Sequence, residues 1–218
     1  MECWKIKNNL IAFTPNGDNT FLDAKELYKI NEKFTYNNND YISPFLALNI
    51  RKSILGLKTI LEIDYEDNNI VLNLYAIKKE QKYKVSINNN IFADYIIVDG
   101  VFHYLSTNYN SYMQIIENEH ITANKKLSFM QYINLIKELN KQEYEYIDKV
   151  NPKDSLTKNE DIKFNAEGLN ATLFNYQEKG CKWLEFMMNN KCGCILGDEM
   201  GLRKNITNNS CTWKNENK

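Results

Sequence analysis

From Lys58 the chain alternates apolar and polar positions. In "TILEIDY", Leu61, Ile63 and Tyr65 alternate with Glu62 and Asp64, the stretch Glu66 to Asn69 is made of turn formers, and "IVLNLYAI" follows. A period of two sends successive side chains to opposite faces of a strand, so this stretch predicts a hairpin. "YKVSI", the turn Asn88 to Asn90, "DYIIV", the turn Asp99-Gly100 and "VFHYL" extend the pattern. Together they predict an antiparallel meander over Ile60 to Leu105.

Helical signals lie on both sides. Asp23 to Lys33 has helix-forming composition, and Asn37 to Asp40 is a polar break. Helical spacing returns at Tyr109 to Glu117 and at Leu127 to Leu139, where Leu127, Met130, Ile133, Ile136 and Leu139 recur every third residue and are expected to face a core. Asn151 to Glu160 is polar, contains Pro152 and has no apolar period, as a linker would. Beyond it, "LNATLFNYQEKGCKWLEFMMNN" places Leu173, Tyr176, Gly180, Trp183, Leu184 and Met187 on one helical face, with Gln177, Lys182 and Glu185 elsewhere. The helix is expected to stop at Asn189-Asn190, and "CGCIL" then reads as a short strand running into a Gly/Asp loop.

Composition narrows the field without naming a function. The 218 residues are 43% hydrophobic and 25% charged, which is globular rather than disordered, and suffice for one domain plus a piece of another. Lys+Arg 27 against Asp+Glu 28 gives a net charge of -1, so there is no overall pull toward nucleic acid or anionic lipid. No basic leader and no stretch of membrane-spanning length is present, and Cys3, Cys181, Cys192, Cys194 and Cys211 follow no disulfide framework. These features imply a cytoplasmic protein without a membrane partner. The sequons at Asn170, Asn205 and Asn208 are then a by-product of an Asn-rich chain. Asn, Ile, Lys and Tyr are frequent while Gly (8) and Pro (3) are scarce, a bias expected from an A/T-rich gene.

The chemistry-bearing stretch is "GCILGDEMGLRKN", Gly193 to Asn205. A phosphate-binding loop needs small residues so that backbone N–H groups can approach phosphates where a strand gives way to a helix; its Lys supplies charge and the next Ser/Thr ligates magnesium. Gly201 and Lys204 are placed for these roles, but Arg203 stands where glycine is needed and Asn205 replaces the hydroxyl.

With the upstream "LFNYQEKGCKWL", the loop "ILGDEMGL" resembles the Swi/Snf family of DNA-translocating ATPases, a branch of superfamily-two helicases. The close likeness covers Leu169 to Leu202. In that family a Tyr-Gln pair before a Gly and a Trp-Leu forms the Q motif, and Asp-Glu-Met-Gly-Leu-Gly-Lys-Thr is motif I. The resemblance implies nucleotide-binding roles for Tyr176 and Gln177, the latter reading adenine through its amide. It implies the same for Asp198, Glu199, Met200, Gly201 and Leu202 in the loop, with Lys204 as the phosphate lysine. It also implies ATP and Mg2+ as cofactors, double-stranded DNA as partner, and ATP-driven translocation by an intact parent.

The departure at Arg203 has a reading at the codon level. Arg203 to Ser210 can be encoded AGG AAA AAC ATT ACA AAT AAT AGC; without the first nucleotide this reads Gly-Lys-Thr-Leu-Gln-Ile-Ile, the family's own continuation. The expectation is one added nucleotide after Leu202, which makes Arg203 to Lys218 an out-of-frame tail. No Asp-Glu-x-His motif follows, so the chain as written is expected to lack catalytic residues and useful ATP hydrolysis.

The remaining candidates read more plainly. Trp183 and Met187 belong to an apolar stripe, Cys192-x-Cys194 has the wrong spacing for a metal site, and Asp198 and Glu199 shape the loop rather than form a catalytic pair. His103 and His120 have no nucleophile or carboxylate constellation around them. Tyr95, Phe102 and Tyr104 could stack nucleobases, although aromatic residues in strands are more often core. The expected architecture is an α+β helicase-associated accessory domain with an antiparallel sheet over residues 1–150, and a linker over 151–163. The start of a RecA-like α/β ATPase lobe follows over 164–202, then the tail 203–218. The alternative is a non-enzymatic module that binds a protein or nucleic-acid partner through the accessory domain, with an inert ATPase remnant.

Overall fold

The computed structural model describes residues 3–15, 17–67, 69–150, 173–189 and 193. The chain divides into two compact units, one of Met1–Leu127 with Gln131–Lys149, the other of Ser128–Met130 with Val150–Lys218.

The first unit is built from hairpins. Strands β1 (Trp4–Lys7), β2 (Leu10–Phe13) and β3 (Thr20–Phe21) form an antiparallel sheet, and β4 (Lys33–Tyr36) pairs with β5 (Asn39–Ile42). Between them, α1 (Ala24–Lys29) starts at a capping box: the Asp23 carboxylate accepts from Glu26 N at 2.6 Å and Glu26 accepts from Asp23 N at 3.1 Å. Helix α2 (Pro44–Ala47) has Ser43 as its cap and Pro44 in its first turn. The predicted helix over Asp23 to Lys33 is therefore shorter, since Lys33 already belongs to β4, and the polar break after it is a hairpin turn.

The period-two stretch forms β7 (Lys58–Glu66) and β8 (Asn69–Lys78), which pair from Lys58↔Ile77 to Glu66↔Asn69, as the alternation predicts. The single meander over Ile60 to Leu105 does not form. Strand β9 (Gln81–Lys84) joins β8, but β10 (Ile87–Asn88) and β11 (Ile91–Phe92) make their own hairpin. Strands β12 (Tyr95–Val98) and β13 (Val101–Tyr104) belong to a third sheet with β6 (Arg51–Lys52). Both β6 on β13 and β14 (Tyr146–Asp148) on β7 are parallel pairings between distant segments, and alternation along one strand carries no information about such partners.

Asparagine makes these hairpins tight. The loops Asn8-Asn9, Asn37-Asn38 and Asn89-Asn90 carry both residues at positive φ, between 48° and 68°. Asp99-Gly100 does the same at 53° and 67°. Positive φ at both loop positions marks the type I′ turn, whose twist matches that of the flanking strands, and Asn and Asp reach this region more cheaply than other side-chain-bearing residues. Lys79-Glu80 adopts it too, at 47° and 68°, with side chains that gain nothing from it.

Helix α3 (Thr107–Asn118) packs on β7, and Tyr112, fully buried, donates its hydroxyl to the Glu145 carbonyl. Helix α4 (Phe129–Lys141) buries Tyr132, Leu135 and Leu139, while Met130 and Ile133 are exposed. The stripe of every third residue expected to face the core holds at Leu127 and Leu139 and is corrected at Met130 and Ile133: steps of three drift around a helix of 3.6 residues per turn, and Tyr132, Leu135 and Leu139 keep to one side. A second small core forms where Phe13 meets Trp4, Phe34, Tyr36 and Tyr41, with ring centroids 4.5 to 5.3 Å apart.

In the second unit, α5 (Asn175–Asn189) buries Gln177, Cys181 and Leu184, with Leu173 and Trp183 partly buried beside the latter two. The face predicted from Leu173, Tyr176, Gly180, Trp183, Leu184 and Met187 is rotated: Tyr176 is 45% exposed and Gln177 is inside. Among the described residues no helix is long and apolar enough to cross a membrane.

Candidate functional site

Gln177 is the third residue of α5, and its geometry follows from that place. A helix start leaves backbone N–H groups without intrahelical acceptors, and a Gln at this position can reach back to the residue before the helix. Phe174 N donates to Gln177 Oε1 at 3.0 Å. The side chain is 2% exposed and its Nε2 has no hydrogen-bond partner. The amide is thus half used: the acceptor closes the helix start, and a buried donor with no partner costs about 1–3 kcal/mol if it stays unmet. The Tyr176 ring stacks on Phe174 at 5.9 Å and 7° between planes.

The sequence expectation assigned Gln177 the adenine contact through both ends of its amide. Phe174 N takes one of the two acceptor sites of the oxygen, and the nitrogen keeps its donor capacity. Asp198, Glu199, Met200, Gly201, Leu202 and Lys204, with Arg203, Asn205 and Cys192-x-Cys194, lie outside the described residues. Among the described residues no group of His, Cys, Asp and Glu is placed to hold a metal.

The other sequence candidates sort by burial. Tyr95 and Phe102 are 2% and 0% exposed, with the Tyr95 hydroxyl accepting from Ile11 N at 2.9 Å, so neither ring is open to a nucleobase. Tyr104 is half-buried and lies beside Gly56. His103 is buried; burial first, then Lys78, pushes its pKa below the ordinary value against a backbone contact at Leu55, so it is a neutral core group. His120 follows α3 at φ 51°.

One buried charge was missed. Glu62, 3% exposed on β7, accepts from Lys149 Nζ at 2.7 Å and Lys82 Nζ at 3.0 Å, and Lys149 also reaches Asp64 at 3.0 Å. Burial works to raise the Glu62 carboxyl, and the two lysines outweigh it and hold it below the usual carboxylate range. In sequence it was one polar position of an alternating strand, with nothing to mark its partners 20 and 87 residues away.

A 53-residue stretch of the chain is 53% identical to a chromodomain-helicase-DNA-binding protein 1-like of Danio rerio; the match takes in 24% of this chain and spans 5% of that protein's length. No protein-family model and no solved structure matches the chain.

Proposed function

We propose that the chain derives from a Swi/Snf-like DNA translocase and holds its N-terminal accessory region and the opening of its first ATPase lobe. The 53-residue similarity to a helicase-type DNA-binding protein carries this reading. The order of the two motifs, Tyr176-Gln177 and then Asp198 to Leu202 with Lys204, supports it. In the intact parent, ATP and Mg2+ would meet the loop, Lys204 would neutralise phosphate charge, and Gln177 Nε2 would donate to the adenine. Double-stranded DNA would be the track. The broken loop at Arg203 and Asn205 makes the chain as written inert toward ATP, in keeping with one added nucleotide after Leu202.

Thermal unfolding with and without MgATP tests this, on the chain as written and on an R203G/N205T double substitution. Ligand that binds only the folded state raises the melting temperature, by the equivalent of about 2.7 kcal/mol at a hundred times Kd. The expected result is no shift for the first protein and a shift for the second that Lys204→Ala abolishes. A shift in the unaltered chain, or none in the restored one, overturns the reading. Sequencing the gene across the Gly201 codon tests the added nucleotide separately.

A second reading, a binding module without enzymatic activity, is favoured by a groove in the first unit.

A further inference from the structure

Two chambers meet between α1, α3 and the β11–β12 connection, and neither contains a residue of the helicase-like motifs. The larger, about 670 Å³, is walled by Tyr28, Ile54, Tyr104, Leu105 and Tyr109, with Lys25 and Lys29 at its edge. The smaller, about 340 Å³, shares Asp23, Asp94, Tyr109 and Asn110 with it and adds Asn88 and Asn89. The volumes lie in the range of ligand sites.

The two chambers differ in chemistry. The smaller is lined by two carboxylates and three asparagines and by no basic residue. Asp94 makes no ion pair among the described residues; each of its carboxylate oxygens lies 3.0 Å from Ala24 N, which holds the first turn of α1, and its own backbone N–H also donates to it. Burial, with no cation to offset it, pushes the Asp94 carboxyl above its usual range. The asparagine side chains at 88, 89 and 110 make no hydrogen bond among the described residues, whereas the Tyr109 and Tyr95 hydroxyls are spent on Phe92 O and the Ile11 backbone. The larger chamber opens at an apolar rim, with Ile54 85% exposed and Tyr28 43% exposed.

We propose that this groove binds an extended peptide segment of a partner protein, with a lysine or arginine in the smaller chamber against Asp94 and Asp23 and a nearby aromatic or large aliphatic side chain in the larger. Charge complementarity selects the occupant. Lys25 and Lys29 line only the larger chamber, so the acidic balance belongs to the smaller one, where two carboxylates and no basic residue repel a phosphate and attract a cationic side chain, and the asparagine oxygens can accept from the ammonium or guanidinium. The shared lining makes the chambers contiguous, so one segment of a few residues, at about 3.3–3.6 Å per residue, reaches both. This inference is independent of the ATPase reading.

The test uses the full chain and N-acetylated peptide amides in which tryptophan and arginine are separated by no, one, two or three glycines, each with a glutamine counterpart. Amide chemical shifts in a titration report the site and the affinity. The expected result is that at least one arginine peptide moves the Asp94, Tyr28 and Asn110 amides and binds about tenfold or more tightly than its glutamine counterpart. Asp94→Asn, which keeps an oxygen for Ala24 N, should weaken binding by a similar factor, and so should Ile54→Lys, whose side chain is 85% exposed on the rim. The proposal is overturned if no arginine peptide moves these amides, if glutamine peptides bind equally, if neither substitution weakens binding, or if a single-stranded oligonucleotide occupies the groove instead.

Discussion

Glu62 and Gln177 are both buried polar side chains, at 3% and 2% exposure, and they solve the problem in opposite ways. Glu62 is closed by its own chain, with lysines from β9 and from the end of β14 converging on one carboxylate. Gln177 accepts one hydrogen bond from the Phe174 backbone N–H and keeps an unused donor. A closed polar group belongs to folding, while a half-used one has valence left for something outside the chain. The orphan alone is no proof of a site, because Thr59 also has an unmet buried atom and sits in a strand with no motif around it. Gln177 earns its functional reading from Tyr176 and the downstream loop.

The contrast can be broken most strongly at Glu62. Replacing Lys82 and Lys149 together by Ala leaves a buried carboxylate without cations and should lower the urea midpoint of unfolding; an unchanged midpoint would mean the carboxylate is effectively solvated. The pH dependence follows from the same group. A carboxyl held below its unfolded value of 4.5 stabilises the fold above that pH and loses the contribution as pH falls through the folded value. Acid unfolding of the parent should therefore include this loss, and the double variant should show a shallower fall below pH 4.5.

The hairpin code predicts a gain. Lys79→Asn with Glu80→Gly gives the β8–β9 loop residues suited to its positive φ values, and should stabilise the first unit by about 1 kcal/mol. No gain in the urea midpoint would show that these φ values cost little in this loop. At Gln177 the expected change is smaller. Methionine there removes the helix-start acceptor but also the unmet donor, so stability should move by less than about 1 kcal/mol. The same substitution in the loop-restored protein should abolish the MgATP shift, and retention of the shift would remove Gln177 from the nucleotide site.

His103 gives the mildest test. Its folded pKa lies below the ordinary 6.5, so the folded state binds fewer protons than the unfolded chain and stability falls as pH drops below 6.5. His103→Leu should flatten that slope in a series of melting curves, and an unchanged slope would place the acid sensitivity elsewhere.

Much of the first unit was legible because its rules are local. The alternation of Leu61 and Ile63 with Glu62 and Asp64 marked β7, and Asp99-Gly100 marked the turn between β12 and β13, since both signals need only neighbouring residues. Strands β1 to β5 carry no clear alternation, and the stripe read on α4 holds at Leu139 but not at Met130 and Ile133. For the candidate nucleotide site the reverse holds: residue order alone assembled Tyr176, Gln177, Asp198 to Leu202 and Lys204 into a motif, while geometry added only the half-used amide of Gln177.

By itself the sequence determined where the β7–β8, β10–β11 and β12–β13 hairpins turn, that α1, α3, α4 and α5 are helical, and which loop carries the likeness to a phosphate site. These depend on φ preferences and on spacing within a few residues. Only the tertiary structure decided that β14 and β6 pair in parallel with distant strands, that two lysines close over Glu62, and that Asp94 lies in a groove walled by α1 and α3. Those are contacts between segments tens of residues apart, fixed by packing and mutual burial rather than by any pattern a single segment contains.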